Sequence, residues 1–296
     1  MADIRQSHKW ANYLTSLGWH AEVIDGVFVY TKKLLGATLI KVQRPEKLTE
    51  VVVKKIETFA IKEKALFLKF DLKTDQDEKL LKSLGYGGST SPLLCTSTII
   101  VDLTVPVETL WKNMKKDARY SISYAKKRGL KTTFVRGPKE EGLVSFHHDL
   151  LKAGRKKKIY VQPLSDHKLK LKAFGEDLVL ARTFQGDKLL SADIALINGD
   201  ETFLEHFFSS DLGKKLHSTY FELWGTMLYL KENGLKSLDF EGIYDDRFPN
   251  STKNWLGFTY FKRKFGGQEV QYPRPRIKYF SKLFLRFQKA LGQLPL

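Results

Sequence analysis

The chain has 296 residues, a formal net charge of +17 and a sequence pI near 9.6, with 42% hydrophobic and 12% aromatic residues. That length exceeds one usual domain and that apolar share fills real cores, so a disordered chain is excluded and two domains are expected. So large a positive balance is out of place in a cytosolic enzyme of small neutral substrates and points to a polyanion or an anionic surface as partner.

The single cysteine, Cys95, rules out an internal disulfide, and no Cys/His grouping has metal-ligand spacing, so no metal site is expected. His147 and His148, adjacent in a predicted helix, read as structural. The opening MADIRQSHKW lacks the apolar core of a secretion signal, and no run of about 18 apolar residues follows, so a cytoplasmic protein is expected.

In chain order, the first hundred residues alternate β-rich runs (VFVYTKKL, ATLIKV, ALFLKFDL, TIIVDL) with one helical segment, TEVVVKKIETFAIKEK, and the turn cluster GYGGSTSP at 85–92. A helix is then predicted from the cap Thr104 to Gly129, with Leu110, Trp111, Met114, Ala118, Ile122 and Ala125 on one face. Its other face carries Lys112, Lys115, Lys116, Arg119, Lys126 and Lys127, which is either a solvated helix surface or a docking face for a polyanion.

From Lys131 the pattern restarts: strand KTTFV, helices LVSFHHDLLKAGRKKK and SDHKLKLKAF, strands LVLARTF, KLLSADIALIN and ETFLEHFFS, helix STYFELWGTMLYLKENG, strand SLDF. This order of strands around a central helix resembles acyltransferases of the GNAT type. The expected division is 1–130, 131–267, and a C-terminal segment 268–296. Ten Lys and Arg against Glu269 alone, from Ser251 on, put more than half of the net charge into the last sixth of the chain. There RPRIKYFSKLFLRFQKALGQL reads as a basic amphipathic helix over 277–291, with Ile277, Phe280, Leu283, Phe284, Phe287 and Leu291 on one side. It either packs back on the first domain or meets RNA or a membrane surface.

Seven pieces, in order and over nearly the whole length, carry a further likeness: QSHKWANYL, LKFDL, LGYGG, VDLTVPVETLWKNMKKDARYSISYAKKRGL, LLSADIAL, LDFEGI and FTYFKRKFGG. Together they resemble the Fem family, aminoacyl-tRNA-dependent transferases that build the interpeptide bridges of peptidoglycan. The resemblance implies a mixed α/β chain of two tandem GNAT-like acyltransferase domains whose C-terminus returns to the first. It also implies that the amino acid esterified to a tRNA 3′ end passes to an amine of a peptidoglycan precursor, without a cofactor. By the same likeness Lys262 would stabilise the oxyanion or the departing 3′ oxygen, and Asp71 would hold or deprotonate the attacking amine. Ester aminolysis calls for such a pair: an uncharged amine, and a fixed cation beside the oxygen that gains charge.

Phe261 beside Lys262, Arg263 and Lys264 suits an unpaired CCA end, whose bases stack on rings while its phosphates meet cations. Lys115, Lys116, Arg119, Lys126, Lys127 and Arg128 would hold the acceptor stem. Where family members using a soluble nucleotide precursor carry a lysine, an arginine and a tyrosine to grip it, this sequence has Asn12, Gln162 and Asp166. Those three, with Phe207 and Phe261, are the candidate substrate-binding residues. Either Lys9 or Arg155 substitutes for the missing cations, or the acceptor differs, with a lipid-linked precursor as one candidate.

Two other readings stay open. A coenzyme A-dependent N-acyltransferase would want a glycine-rich turn before the central helix, and DLGKKLH supplies only Gly213. A non-catalytic RNA-binding or membrane-associated module suits the charge equally well.

Overall fold

A computed structural model describes residues 3–34, 36–157 and 161–281. The described chain forms two compact units. One comprises the chain up to Ser97, Ile243–Leu256 and the chain from Gln271; the other comprises Thr98–Gly242 and Gly257–Val270.

The first unit holds strands β1 (His20–Ile24), β2 (Val27–Leu34), β3 (Ala37–Gln43), β4 (Ala65–Asp71) and β5 (Gly87–Gly88), with helices α1 (His8–Ser16), α2 (Glu50–Lys62) and α3 (Asp75–Ser83). The chain's last described strand, β13 (Arg276–Tyr279), completes a sheet of order β1-β2-β3-β4-β13-β5. Asp25 and Gly26, both at positive φ, make the two-residue turn that joins β1 to β2. Alternation along β4 sends Leu68 and Phe70 into a core with Val42, Val53, Ile56 and Ala60, and so turns Lys69 and Asp71 to the opposite face. The stripe Val53, Ile56 and Ala60 has helical spacing, and the Thr49 hydroxyl caps α2 by accepting from Val52 N at 3.3 Å.

The second unit holds β6 (Ser97–Asp102), α4 (Val107–Asn113), α5 (Lys116–Lys127), β7 (Lys131–Arg136), α6 (Glu140–Lys157), α7 (Leu164–Phe174), β8 (Leu178–Gln185), β9 (Lys188–Asn198), β10 (Glu201–Ser209), α8 (Asp211–Lys215), α9 (Ser218–Glu232) and β11 (Ser237–Asp239). A short α10 (Pro249–Thr252) belongs to the first unit, after which α11 (Leu256–Lys262) and β12 (Gln268–Gln271) return to the second. Its sheet runs β12-β6-β11-β10-β9-β8-β7, with β10 and β11 parallel.

Three expectations need correction. The helix predicted from Thr104 to Gly129 is two helices, broken where Met114 and Lys115 are extended with ψ of 149°. Arg119 fixes the break by donating Nη1 to the carbonyls of Trp111, Lys112 and Met114, capping the end of α4. The division at 130 is also displaced, because β6 pairs with β11 and so carries Thr98 onward into the second unit. The segment from Ile243 rejoins the first unit, tied there by Asp245, whose carboxylate accepts from Thr96 Oγ1 at 2.6 Å and from Arg247 Nη2 at 2.6 Å. Finally, 276–279 is strand: Ile277 lies buried opposite Lys69 and Lys278 Nζ donates to Glu57 Oε1 at 2.8 Å, while the rest of the predicted helix, from 282, lies outside the described residues. That strand pairs with β4 and β5 in the sheet of the first unit. Among the described residues no helix is long and apolar enough to cross a membrane.

Candidate active site

In the second unit the stretch LDFEGI makes a seat for Lys262. Asp239, at the end of β11, accepts from the Thr98 hydroxyl and from Glu241 N at 2.7 Å, which tightens the chain into a turn with Glu241 at φ +55°. The carbonyls of Glu241 and Gly242 then take hydrogen bonds from Lys262 Nζ at 2.8 and 2.7 Å. Lys262 is buried, 6% exposed, at the end of α11. Two backbone carbonyls thus hold the buried Lys262 side chain in one position.

The glycines that follow serve close approach. Gly266 and Gly267 have φ of +78° and +92°, and a Cβ on Gly267 would lie 2.8 Å from the Ile100 carbonyl oxygen of β6. Phe265, between the cations and these glycines, is core, 1% exposed.

Phe261 is half-buried, its ring 4.9 Å from Tyr220, 5.2 Å from Phe265 and 6.0 Å from Phe207, which in turn meets Phe258 edge-on at 5.3 Å. The structure therefore brings Phe207 and Phe261 into contact, while Lys262, the next residue, turns to the Glu241 and Gly242 carbonyls. Gln162 and Asp166 belong to a different constellation. A β-bulge between Leu204 and His206 on β10 offers Glu205 to Lys170, whose Nζ lies 2.5 Å from Glu205 Oε2, 3.4 Å from Asp166 Oδ2 and 3.3 Å from Gln162 Oε1. His206 Nε2 is 3.1 Å from the same Gln162 oxygen, and His167 stands 5.3 Å from both His206 and His147, ring to ring. Burial first, then the neighbouring His206 and Lys170, pushes His167 down to about 4.

Asp71, in the first unit, ends β4 buried. Its Oδ1 accepts from Leu93 N at 3.3 Å, and its Oδ2 has no hydrogen-bond partner among the described residues. Burial raises its pKa against the lowering influence of Lys69, Arg44 and Lys41. Lys41, facing it from β3, is itself pushed down to about 8 by burial and rests its ammonium 4.1 Å over the Trp19 ring. Asn12 is exposed on α1, Lys9 is half-buried there, and Arg155 is exposed on α6.

Of the eight cations assigned to RNA, Lys115, Lys116, Lys126, Lys127 and Arg128 are exposed. Arg119 is engaged with α4 as described, Arg263 pairs with Glu269 at 2.6 and 2.9 Å, and Lys264 pairs with Asp117 at 2.6 Å. Gly213, in α8 between β10 and α9, has an internal reason: a Cβ there would lie 2.3 Å from the Leu190 carbonyl oxygen.

Sequence reasoning passed over a buried carboxyl pair. Thr226 Oγ1 donates to Asp193 Oδ2 at 2.9 Å and Ser191 Oγ to Glu222 Oε2 at 2.9 Å, while Asp193 Oδ1 and Glu222 Oε1 have no partner among the described residues. Burial pushes Asp193 up to about 7, and burial with the nearby Asp193 charge raises Glu222 well above the usual carboxylate range. Lone acids within the apolar runs SADIAL and YFELW were the available signal. A carboxyl protonated in the fold but ionised in the unfolded chain lends stability at low pH that is lost as pH rises through the folded pKa. Glu222→Gln is therefore expected to flatten the fall in melting temperature between about pH 4 and 8 relative to the parent chain. Parallel melting curves across that range would contradict the pairing.

No family model and no curated protein matches the sequence. Solved structures do match in fold. A structure of FemX superposes with a TM-score of 0.81 at 17% identity, over 96% of this chain and 94% of that one. The C-terminal domain of a putative lysylphosphatidylglycerol synthetase from Agrobacterium fabrum gives 0.64 at 15% identity, over 98% and 95%. A tandem GNAT protein of the clavulanic acid biosynthesis pathway gives 0.53 at 9% identity, over 86% and 78%. The chain thus has the Fem-type fold, a tandem pair of GNAT-like domains.

Proposed function

We propose that this chain is an acyltransferase that moves an amino acid from aminoacyl-tRNA to an amine of a peptidoglycan precursor. The observation that carries the reading is the Lys262 side chain, buried and fixed on two backbone carbonyls, in a stretch whose preceding residue, Phe261, packs its half-buried ring against Tyr220. In the reaction the amine nitrogen attacks the ester carbonyl, the new C–N bond forms, and the C–O bond to the tRNA ribose breaks. The amine gives up a proton and the departing ribose oxygen gains one. Lys262 offsets the negative charge on oxygen, and its carbonyl seat means no reorganisation is needed as that charge grows. Phe207 and Phe261 give the aminoacyl end an aromatic wall.

Coenzyme A as the acyl carrier is the less favoured reading, since Gly213 is occupied by internal packing against Leu190. The discriminating experiment offers the protein charged tRNA pools with lipid-linked and nucleotide-linked muropeptides, and acetyl-CoA separately. A muropeptide heavier by one aminoacyl residue supports the proposal, whereas acetylated product alone overturns it. Lys115, Lys116, Lys126 and Lys127 lead to a further expectation: tRNA affinity falls by orders of magnitude between about 50 and 200 mM salt, as counterion release requires. A salt-independent affinity would remove these lysines from the interface.

A further inference from the structure

A row of rings in the second unit runs from solvent to Phe261. On α5, Lys116, Tyr120, Tyr124 and the capping Arg128 follow each other at four-residue spacing, which aligns them along one helical stripe. Tyr120 is 66% exposed, stacks on Tyr124 at 6.3 Å, and Tyr124 in turn meets His217 at 5.4 Å. His217, held in the left-handed region at φ +57° before α9, touches Tyr220 at 6.1 Å, and Tyr220 meets Phe261 at 4.9 Å. Lys262 is the next residue. A non-glycine residue kept at positive φ in the middle of such a row is a local cost the surrounding fold sustains.

Cations accompany the rings. The Arg128 guanidinium lies 5.0 Å from the Tyr124 ring centre, and Lys264 lies 4.3 Å from Tyr260, itself 66% exposed, and 5.7 Å from Tyr220. Exposed α5 residues are Lys116, Asp117, Tyr120, Ser123, Lys126 and Lys127, with no aliphatic side chain among them, and the one carboxylate, Asp117, is paired with Lys264. That composition suits bases and phosphates and does not suit acyl chains, which would want aliphatic contacts.

We infer that Tyr120, Tyr124, His217 and Tyr220 form a base-stacking track that conducts the single-stranded 3′ end of an RNA along the second unit to Phe261 and Lys262. The ring row offers aromatic surface to bases of any identity, and the exposed Lys116 and Arg128 hold the phosphates. This rests on the reading of the partner as tRNA, but its test uses uncharged RNA and no transfer step, so the two fail separately.

The test compares binding of an RNA hairpin carrying a single-stranded 3′ tail with the same hairpin made blunt. The parent protein should prefer the tailed form. Tyr120→Ala and Tyr124→Ala should each weaken tailed binding by about 5- to 100-fold and leave blunt binding within about 2-fold, while Tyr120→Phe, which keeps the ring, retains the parent affinity. Tyr120 lies mostly in solvent, so its alanine variant should fold, and unchanged melting will verify that. Equal parental affinity for the two hairpins, or equal loss on both in Tyr120→Ala, overturns the track. So does a Tyr120→Ala variant that loses binding to anionic vesicles while its RNA affinity is unchanged. A protein that binds the tail through Tyr120 but transfers nothing from charged tRNA would retain the track and lose the proposed reaction.

Discussion

Lys262→Ala is expected to lower the rate of aminoacyl transfer by about 10²–10³ while changing tRNA affinity only modestly. The asymmetry follows from where the side chain sits. An exposed lysine that neutralises a phosphate contributes to binding and to salt dependence, whereas Lys262 is 6% exposed and bonded to the Glu241 and Gly242 carbonyls. In the proposed reaction such a side chain would act most on a neighbour whose own charge grows, the ester oxygen as the tetrahedral centre forms. Truncation also leaves those two carbonyls without their donor, so a melting curve must accompany the kinetics. Single-turnover transfer at saturating tRNA separates the outcomes: a slowed chemical step with preserved affinity fits the assignment, and an affinity loss with normal chemistry makes Lys262 a binding residue.

The second large effect is on stability. Lys170→Met is expected to destabilise the second unit by about 3–5 kcal/mol, because Glu205 and Asp166 then lose a buried counter-charge. Adding Glu205→Gln should recover part of the loss, as coupled neighbours do in a double-mutant cycle. Denaturant titration of the parent, the two single variants and the double gives the coupling directly, and strictly additive losses would mean that the ion pair does not act as a unit.

Much of the architecture was legible from local pattern. The β-rich runs VFVYTKKL, ATLIKV and ALFLKFDL became β2, β3 and β4, and KLLSADIALIN became β9, since their alternation and branched residues carry the strand signal within each run. What escaped depends on partners distant in sequence. The helix break at Met114 is fixed partly by the remote Lys264 carbonyl, which accepts from Lys115 N at 2.9 Å, and partly by the Arg119 guanidinium, whose role a sequence reading of it as one more exposed cation does not announce. The helix read into 277–291 begins as a strand, since the pairing of Ile277 with Lys69 competes with helical spacing and wins in 276–279.

The candidate site divides the same way. Lys262 stood out because its loop and cations form one contiguous stretch, and its glycines at 266 and 267 are required by backbone approach. Lys170 with Glu205, and Asp193 with Glu222, are pairs separated by some thirty residues, invisible until β10 and α9 bring them together. Gln162 and Asp166 were singled out by resemblance, and the structure shows what now holds them: the Lys170 ammonium and, for Gln162, the His206 ring.

The central claim is that an aminoacyl ester carried by tRNA becomes an amide on a muropeptide. Following a carbon label placed on the amino acid tests it most directly, because esters yield to mild alkali and amides do not. The account predicts alkali-resistant label in the muropeptide with the parent protein and label left in tRNA with Lys262→Ala. Label that stays alkali-sensitive on tRNA with both proteins, under conditions where tRNA is bound, would contradict it.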